Sequence, residues 1–163
     1  MKTIYLVRHA KSSWADPGQR DHERPLLEAG IDRTQKVADF LIEKKVKPGL
    51  IISSHAVRAF QTARLLAKAL GFPEEDIRQE RQIYLGTEDS LLDLVHALPD
   101  ELESVMLVGH NPVMTGLAQM LQARIADYLP TSAVVSISFE PGNWQNVLLA
   151  SKRVNFVVYP RML

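Results

Sequence analysis

The chain has 163 residues, 46% hydrophobic and 23% charged, with 19 Lys+Arg against 19 Asp+Glu. That length suits one domain, residues 1–163, with a sizeable core, and a net charge of zero gives no global attraction to nucleic acid or an anionic membrane. There is no cysteine, which excludes disulfides, thiolate metal sites and cysteine nucleophiles.

The first predicted element is Ile4-Tyr5-Leu6-Val7, an apolar run that reads as a buried strand of a parallel sheet. With one lysine before it and Arg8 after it, the run is too short for a signal peptide. No other run approaches membrane-spanning length, and a cytoplasmic location is expected. Lys11 to Arg24 is polar and loop-like, punctuated by Pro17-Gly18. A helix follows from about Glu28 to Lys45, with Ile31, Val37, Phe40, Leu41 and Ile42 placed on one face, and Pro48-Gly49 stops it. Leu50-Ile51-Ile52 is a second buried strand. Ser54 is expected to cap a helix from about Ala56 to Leu70, closed by Gly71-Phe72-Pro73.

A short strand is expected within Ile77 to Ile83. The helix from Glu88 to Leu98 should turn Leu91, Leu92, Leu94, Val95 and Leu98 inward. Val105-Met106-Leu107-Val108 is a third buried strand. It runs into Gly109-His110-Asn111-Pro112, where Asn111 at the cap and Pro112 at the first helical position begin a helix to about Ala123. Val134 to Phe139 alternates as a half-buried strand does, Pro141-Gly142-Asn143 turns the chain, and Val147-Leu148-Leu149 and Phe156 to Tyr159 are late strands. Strands alternate with helices for most of the length, so the class is α/β with a mainly parallel sheet.

Three strand ends repeat one design. The first strand ends in Arg8-His9, the second leads through Ser53-Ser54 to Arg58 in a first helical turn, and the third ends in Gly109-His110. In open α/β sheets ligands bind at the carboxyl ends of the strands. If these strands are neighbours, two arginines, two histidines and the positive ends of two helices converge on one small volume. A guanidinium beside an imidazole suits an anion, phosphate above all. Taken singly, each residue has an ordinary reading: His9 hydrogen-bonded to backbone, Arg58 solvated, His110 merely preceding a cap. Together they define a local anion pocket in a chain of zero net charge.

Leu6-Val7-Arg8-His9-Ala10, Ser53-Ser54-His55-Ala56-Val57-Arg58-Ala59-Phe60-Gln61-Thr62-Ala63 and Val108-Gly109-His110-Asn111-Pro112 resemble the three signature segments of the histidine phosphatase superfamily. The Trp14 segment, Arg24-Pro25-Leu26 and Leu129-Pro130-Thr131-Ser132-Ala133 are similar to its small phosphohistidine phosphatase (SixA-type) branch. Two positions depart from the common motifs: Ala10 stands where glycine is usual, and His55 where proline is frequent. The resemblance implies a three-layer, phosphoglycerate mutase-like fold, a mostly parallel sheet flanked by helices on both faces. It also implies that His9 is a nucleophile forming a phosphohistidine intermediate. Arg8 and Arg58 would hold the phosphoryl oxygens, His110 would donate to them, and Asn111 would add a substrate contact. Such chemistry needs no metal and no cofactor, because cationic forks match the charge on the equatorial oxygens.

Four residues stay open at this level. Arg24 is either a further phosphate contact or a surface ion pair. His55 is a bystander, a rim contact or another donor, and Trp14 either packs on the core edge or meets a partner. Glu88, with Asp89 beside it as a second candidate, is the general-acid candidate in the region where relatives carry one, though no clear motif marks it, and both carboxylates would stabilise a first helical turn in any case. Without a placed acid, a leaving group that water can protonate is favoured, and imidazole, titrating at about 6.5, is one. The short connections should leave the pocket open to a side chain on another protein. The expected activity is therefore removal of phosphate from a phosphorylated histidine, as on a histidine-containing phosphotransfer domain. The alternatives are a phosphomonoesterase for small phosphate esters and a phosphate-recognising binding module without turnover.

Overall fold

The computed structural model describes residues 1–140 and 142–163. In chain order the elements are β1 (Lys2–Arg8), α1 (Glu28–Glu43), β2 (Ile51–Ser53), α2 (Val57–Leu70), β3 (Arg78–Gln79), α3 (Arg81–Leu85), α4 (Glu88–His96), β4 (Ser104–Gly109), α5 (Val113–Met120), β5 (Val134–Glu140) and β6 (Ser151–Val158). The strands form one sheet in the order β3-β2-β4-β1-β5-β6. The β3, β2, β4 and β1 ladders are parallel, while β5 and β6 join antiparallel at one side. The expected mixed α/β class with a mostly parallel sheet is what the chain forms. Among the described residues no helix is long and apolar enough to cross a membrane.

The central strands are near-continuous apolar runs because both faces of the sheet are covered. Neighbouring residues therefore serve opposite cores. Ile51 packs with Val37, Leu41, Ala63 and Leu66 under α1 and α2, whereas Ile52 packs with Leu91, Val95, Met114 and Leu117 under α4 and α5. Each such fully buried aliphatic side chain stabilises the fold by about 1.5–3 kcal/mol relative to exposure. All five apolar residues expected inward around α4 are buried.

Local details differ where packing outweighs pattern. On α1 the inward residues are Gly30, Thr34, Val37, Ala38 and Leu41, and Ile31 and Ile42 face out. Small residues are needed on that side because the loop after β1 crosses it: a Cβ at Gly30 would collide with the Lys11 carbonyl oxygen. The strand expected within Ile77 to Ile83 shrinks to the exposed edge pair Arg78–Gln79, and the chain then coils into α3, which drops Ile83 into the core. The run Val147-Leu148-Leu149 is not a strand. It follows a 3-10 turn at Trp144–Asn146, and the apolarity of Val147 and Trp144 reflects their burial under α4. The Pro141 part of the expected Pro141-Gly142-Asn143 turn lies outside the described residues.

Two helix starts shift. Residue 56 rather than Ser54 flanks α2, and Ser54 Oγ accepts instead from the Ala56 amide at 3.1 Å. For α5 the flanking residue is Pro112, and Asn111 caps from one position further out through Oδ1, which accepts from Thr115 Oγ1 at 2.8 Å. The helix ends at Met120, short of Ala123.

Candidate active site

The register of the sheet brings the three strand ends to one layer. Arg8 lies opposite Gly109, and Ser53 opposite Val108. The ladder continues past the strands: the His9 amide donates to the Gly109 carbonyl at 3.0 Å, and the Ser54 amide to the Val108 carbonyl at 3.0 Å. His9 and His110 are thereby forced together, their ring centroids 5.2 Å apart. Arg58, in the first turn of α2, reaches the same point, with its Nε 3.4 Å from His9 Nε2.

Each ring is held through one nitrogen by a neighbouring oxygen. His9 Nδ1 pairs with the Ala10 carbonyl at 2.7 Å; a carbonyl only accepts, so Nδ1 carries the proton and Nε2 keeps its lone pair. Burial pushes the His9 pKa down, the Ala10 carbonyl pulls it up, and the charges of Arg58, Arg8 and Arg24 push it down again, leaving it at about 4. The ring is neutral at physiological pH, with a lone pair on Nε2. His110 Nε2 pairs with Ser54 Oγ at 2.8 Å. Burial first, then His9 and Arg58, bring its pKa to about 3. Three buried nitrogens, Arg8 Nε, His55 Nδ1 and His110 Nδ1, have no hydrogen-bond partner among the described residues. Arg8 is fixed instead through Nη1, which donates to the Leu129 carbonyl at 2.9 Å.

Residues 4–89 match the family model of the histidine phosphatase superfamily, branch 1, a span that includes Arg8, His9 and Arg58. The chain belongs to that superfamily. The solved structure of a candidate phosphohistidine phosphatase, SixA of Agrobacterium tumefaciens, superposes with a TM-score of 0.82 at 32% identity, covering 98% of this chain and 99% of that one. Phosphohistidine phosphatase SixA of Escherichia coli is 25% identical over 87% of this chain and 91% of its own length. A chloroplast protein of Arabidopsis thaliana is 33% identical over 74% of this chain, which spans 59% of that relative's length.

The four principal residues anticipated from sequence, Arg8, His9, Arg58 and His110, stand together. Arg24 is buried, 7% exposed, and is ion-paired: its Nη1 donates to Ser12 Oγ at 2.9 Å and its Nε to the Asp21 carboxylate, at Oδ1, at 3.1 Å. Trp14 packs neither on the core edge nor away from the chain. It is 75% exposed and stacked on the Arg24 guanidinium, 3.4 Å from centroid to Cζ. Asn111 turns inward to the Leu129 carbonyl, at 2.8 Å from Nδ2, and shares that acceptor with Arg8. Glu88 is not joined to them. Its carboxylate lies against Gly116 on α5, and it makes no hydrogen bond or ion pair with the four principal residues among those described. His55 forms a rim with Tyr84 and His22, with ring centroids 5.2 and 5.8 Å away.

One residue of the site was not anticipated. Asp21, on the 3-10 turn Asp21–Glu23, accepts from Arg58 at two points, its carbonyl at 2.7 Å and Oδ2 at 2.9 Å. Tyr84 Oη donates to the same Oδ2 at 2.6 Å. Partial burial pushes the Asp21 carboxyl up, but the hydrogen bonds from Tyr84 and Arg58 and the charges of Arg58 and Arg24 outweigh it and hold it at about 2. The only trace of this in the sequence is an aspartate three residues before Arg24 in a polar loop, a signal without periodicity.

Proposed function

We propose that this protein is a phosphohistidine phosphatase that removes phosphate from a phosphorylated histidine on another protein, through a covalent intermediate on His9. One observation carries the reading above all: the hydrogen bond from His9 Nδ1 to the Ala10 carbonyl, which leaves Nε2 as the free base beside the Arg58 fork. In the first step Nε2 attacks phosphorus while the phosphorus–nitrogen bond to the substrate imidazole breaks. That ring, protonated on its far nitrogen by solvent, leaves as neutral imidazole. The His9 ring becomes cationic, and the Ala10 carbonyl stabilises the Nδ1 proton it retains. In the second step water attacks phosphorus, the bond to Nε2 breaks, inorganic phosphate leaves, and His9 returns to its neutral form as a proton passes to solvent.

Arg8, Arg58 and Arg24 neutralise the phosphoryl oxygens, and the unpartnered Arg8 Nε and His110 Nδ1, the latter carrying the ring proton when Ser54 Oγ donates to Nε2, supply hydrogen bonds to them. No metal or cofactor enters the scheme. The leaving group is assigned by acidity. Asp21, the carboxylate bonded to Arg58, is held ionised, and Glu88 makes no hydrogen bond or ion pair with Arg8, His9, Arg58 or His110 among the described residues, so an alkoxide would have no placed proton donor at neutral pH. Imidazole needs none. The expected cytoplasmic location belongs to the same proposal. The deciding experiment is a rapid acid and alkali quench of enzyme turning over phosphoimidazole. Alkali-stable, acid-labile phosphate on wild type and none on His9→Ala supports the scheme; equal turnover by His9→Ala overturns it.

A further inference from the structure

Next to the catalytic pocket runs a groove of about 900 Å³, bounded by α1, the 124–131 segment, the end of β6 and the 3-10 turn Pro160–Met162. Four cations line it: Arg33, Lys36, Arg124 and Arg161. All four are exposed, and none makes a salt bridge or side-chain hydrogen bond among the described residues. Asp127 is the only acidic side chain in the lining. Four cations against one acid is a local surplus on a chain with 19 cations and 19 anions, and it is gathered on one concave surface. Arg33 and Lys36 sit three residues apart on one helix, so their charges face the same way. Ile125 and Met162 add an apolar component between the charges.

The groove and the catalytic pocket share a wall. Tyr128 and Leu129 line the groove, the Tyr128 ring lies 6.0 Å from the Arg8 guanidinium carbon, and the Leu129 carbonyl holds both Arg8 and Asn111. Ser132, just beyond, donates its amide to the Arg8 carbonyl at 3.1 Å. The Leu129-Pro130-Thr131-Ser132-Ala133 stretch is thus the partition between two sites, a role the chemistry at His9 does not require. A phosphoryl group held at His9 would leave the chain that carries it beside this groove.

We propose that the groove is a docking site for an acidic segment of the phosphoprotein substrate, flanking its phosphorylated histidine. The inference rests on the reading of the reaction given above and adds the chemistry of the partner. Four unpaired cations opposed by one acid favour carboxylates, and the concave, partly apolar lining favours a peptide over diffuse counter-ions. Charge placed there raises encounter rate and lowers KM without touching the chemical step.

The test compares wild type with the quadruple variant Arg33→Gln/Lys36→Gln/Arg124→Gln/Arg161→Gln on three substrates: phosphoimidazole, a phosphohistidine peptide with acidic flanks, and one with neutral flanks. The expected result is a fall of about tenfold in kcat/KM on the acidic peptide, carried by KM, with the other two substrates unchanged. The wild-type preference for the acidic peptide should vanish at about 1 M salt, where the Debye length is about 3 Å. No preference in wild type, or an equal loss on phosphoimidazole, overturns the proposal. Fluorescence anisotropy with the unphosphorylated acidic peptide separates the two claims. Binding that the variant loses, in an enzyme that hydrolyses no phosphohistidine substrate, keeps the docking site and rejects the reaction. Absence of peptide binding, or binding of pyrophosphate alone at these cations, rejects the docking site.

Discussion

Asp21 grips Arg58 at two points, by its main-chain carbonyl and by its carboxylate, and in doing so decides where the third donor of that guanidinium goes. With Nη1 at 2.7 Å from the carbonyl and Nη2 at 2.9 Å from Oδ2, Nε is left facing His9 Nε2. Arg58 has few other ways to be held, since it sits in a helical first turn where a cation is mildly disfavoured. The same carboxylate takes Arg24 Nε and Tyr84 Oη, so one loop residue sets the aim of two cations and cancels part of their charge.

Removing that charge should separate affinity from rate. Asp21→Asn is expected to bind inorganic phosphate several-fold more tightly by calorimetry, because Arg58 and Arg24 lose their internal counter-ion. Its kcat on phosphoimidazole should fall about tenfold, because a charge-assisted hydrogen bond contributes about 1.5–3 kcal/mol to holding Arg58. Weaker phosphate binding with unchanged kcat would contradict this account.

The pH dependence has a definite sign. His9 and His110 titrate at about 4 and about 3 in the folded chain against an ordinary value of 6.5. Between those limits the unfolded chain binds protons that the folded chain does not. Their contribution to stability is complete above about pH 6.5 and is lost as pH falls toward 4 and 3. Each contributes a slope of up to about 1.4 kcal/mol per pH unit. Asp21, lowered to about 2 from 3.8, acts in the same direction at more acid pH. Thermal melts from pH 7 to 4 should show Tm falling, with a shallower fall in His9→Ala. Side-chain nitrogen NMR should find His9 as the Nδ1–H tautomer, still neutral at pH 5.5; a ring protonating near 6.5 would refute the assignment.

Ser54 is fully buried and is the partner of His110 Nε2. Its replacement by alanine should let the His110 ring turn and should cost about 1 kcal/mol, the worth of one neutral hydrogen bond. Expected is a fall of about fivefold in kcat on phosphoimidazole with a folded circular dichroism spectrum. A Ser54→Ala enzyme with wild-type kcat would show that His110 needs no such anchor.

Glu88 tests the leaving-group assignment. It sits in the first turn of α4 with its carboxylate against Gly116 and bonds to none of the four principal residues among those described, so Glu88→Gln should leave phosphoimidazole hydrolysis unchanged. The loss of a general acid costs a hundredfold or more. A collapse of that size on an alkyl phosphate would instead support a phosphomonoesterase.

The sequence by itself determined the parts whose physics is local. Apolar runs too short for helices became β1, β2 and β4, and the placement of Arg8, His9 and His110 at their ends followed from the abrupt change from apolar to charged residues. Periodicity with flanking glycines and prolines marked α1, α2, α4 and α5, with ends displaced by a few residues. What only the tertiary structure decided depends on contacts between segments far apart in the chain. Ile31 and Ile42 face solvent because the crossing Lys11 loop admits only Gly30 beneath it, a steric fact that apolar spacing does not encode. Asp21 is an unremarkable loop aspartate until α2 brings Arg58, and α3 brings Tyr84, within hydrogen-bonding distance of it. The cations of the groove are separated by up to 128 positions, from Arg33 to Arg161, and only the packing of α1 against the last turn gathers them on one surface. Hydrogen bonds and charge pairs act over a few ångströms of space, whatever the distance along the chain.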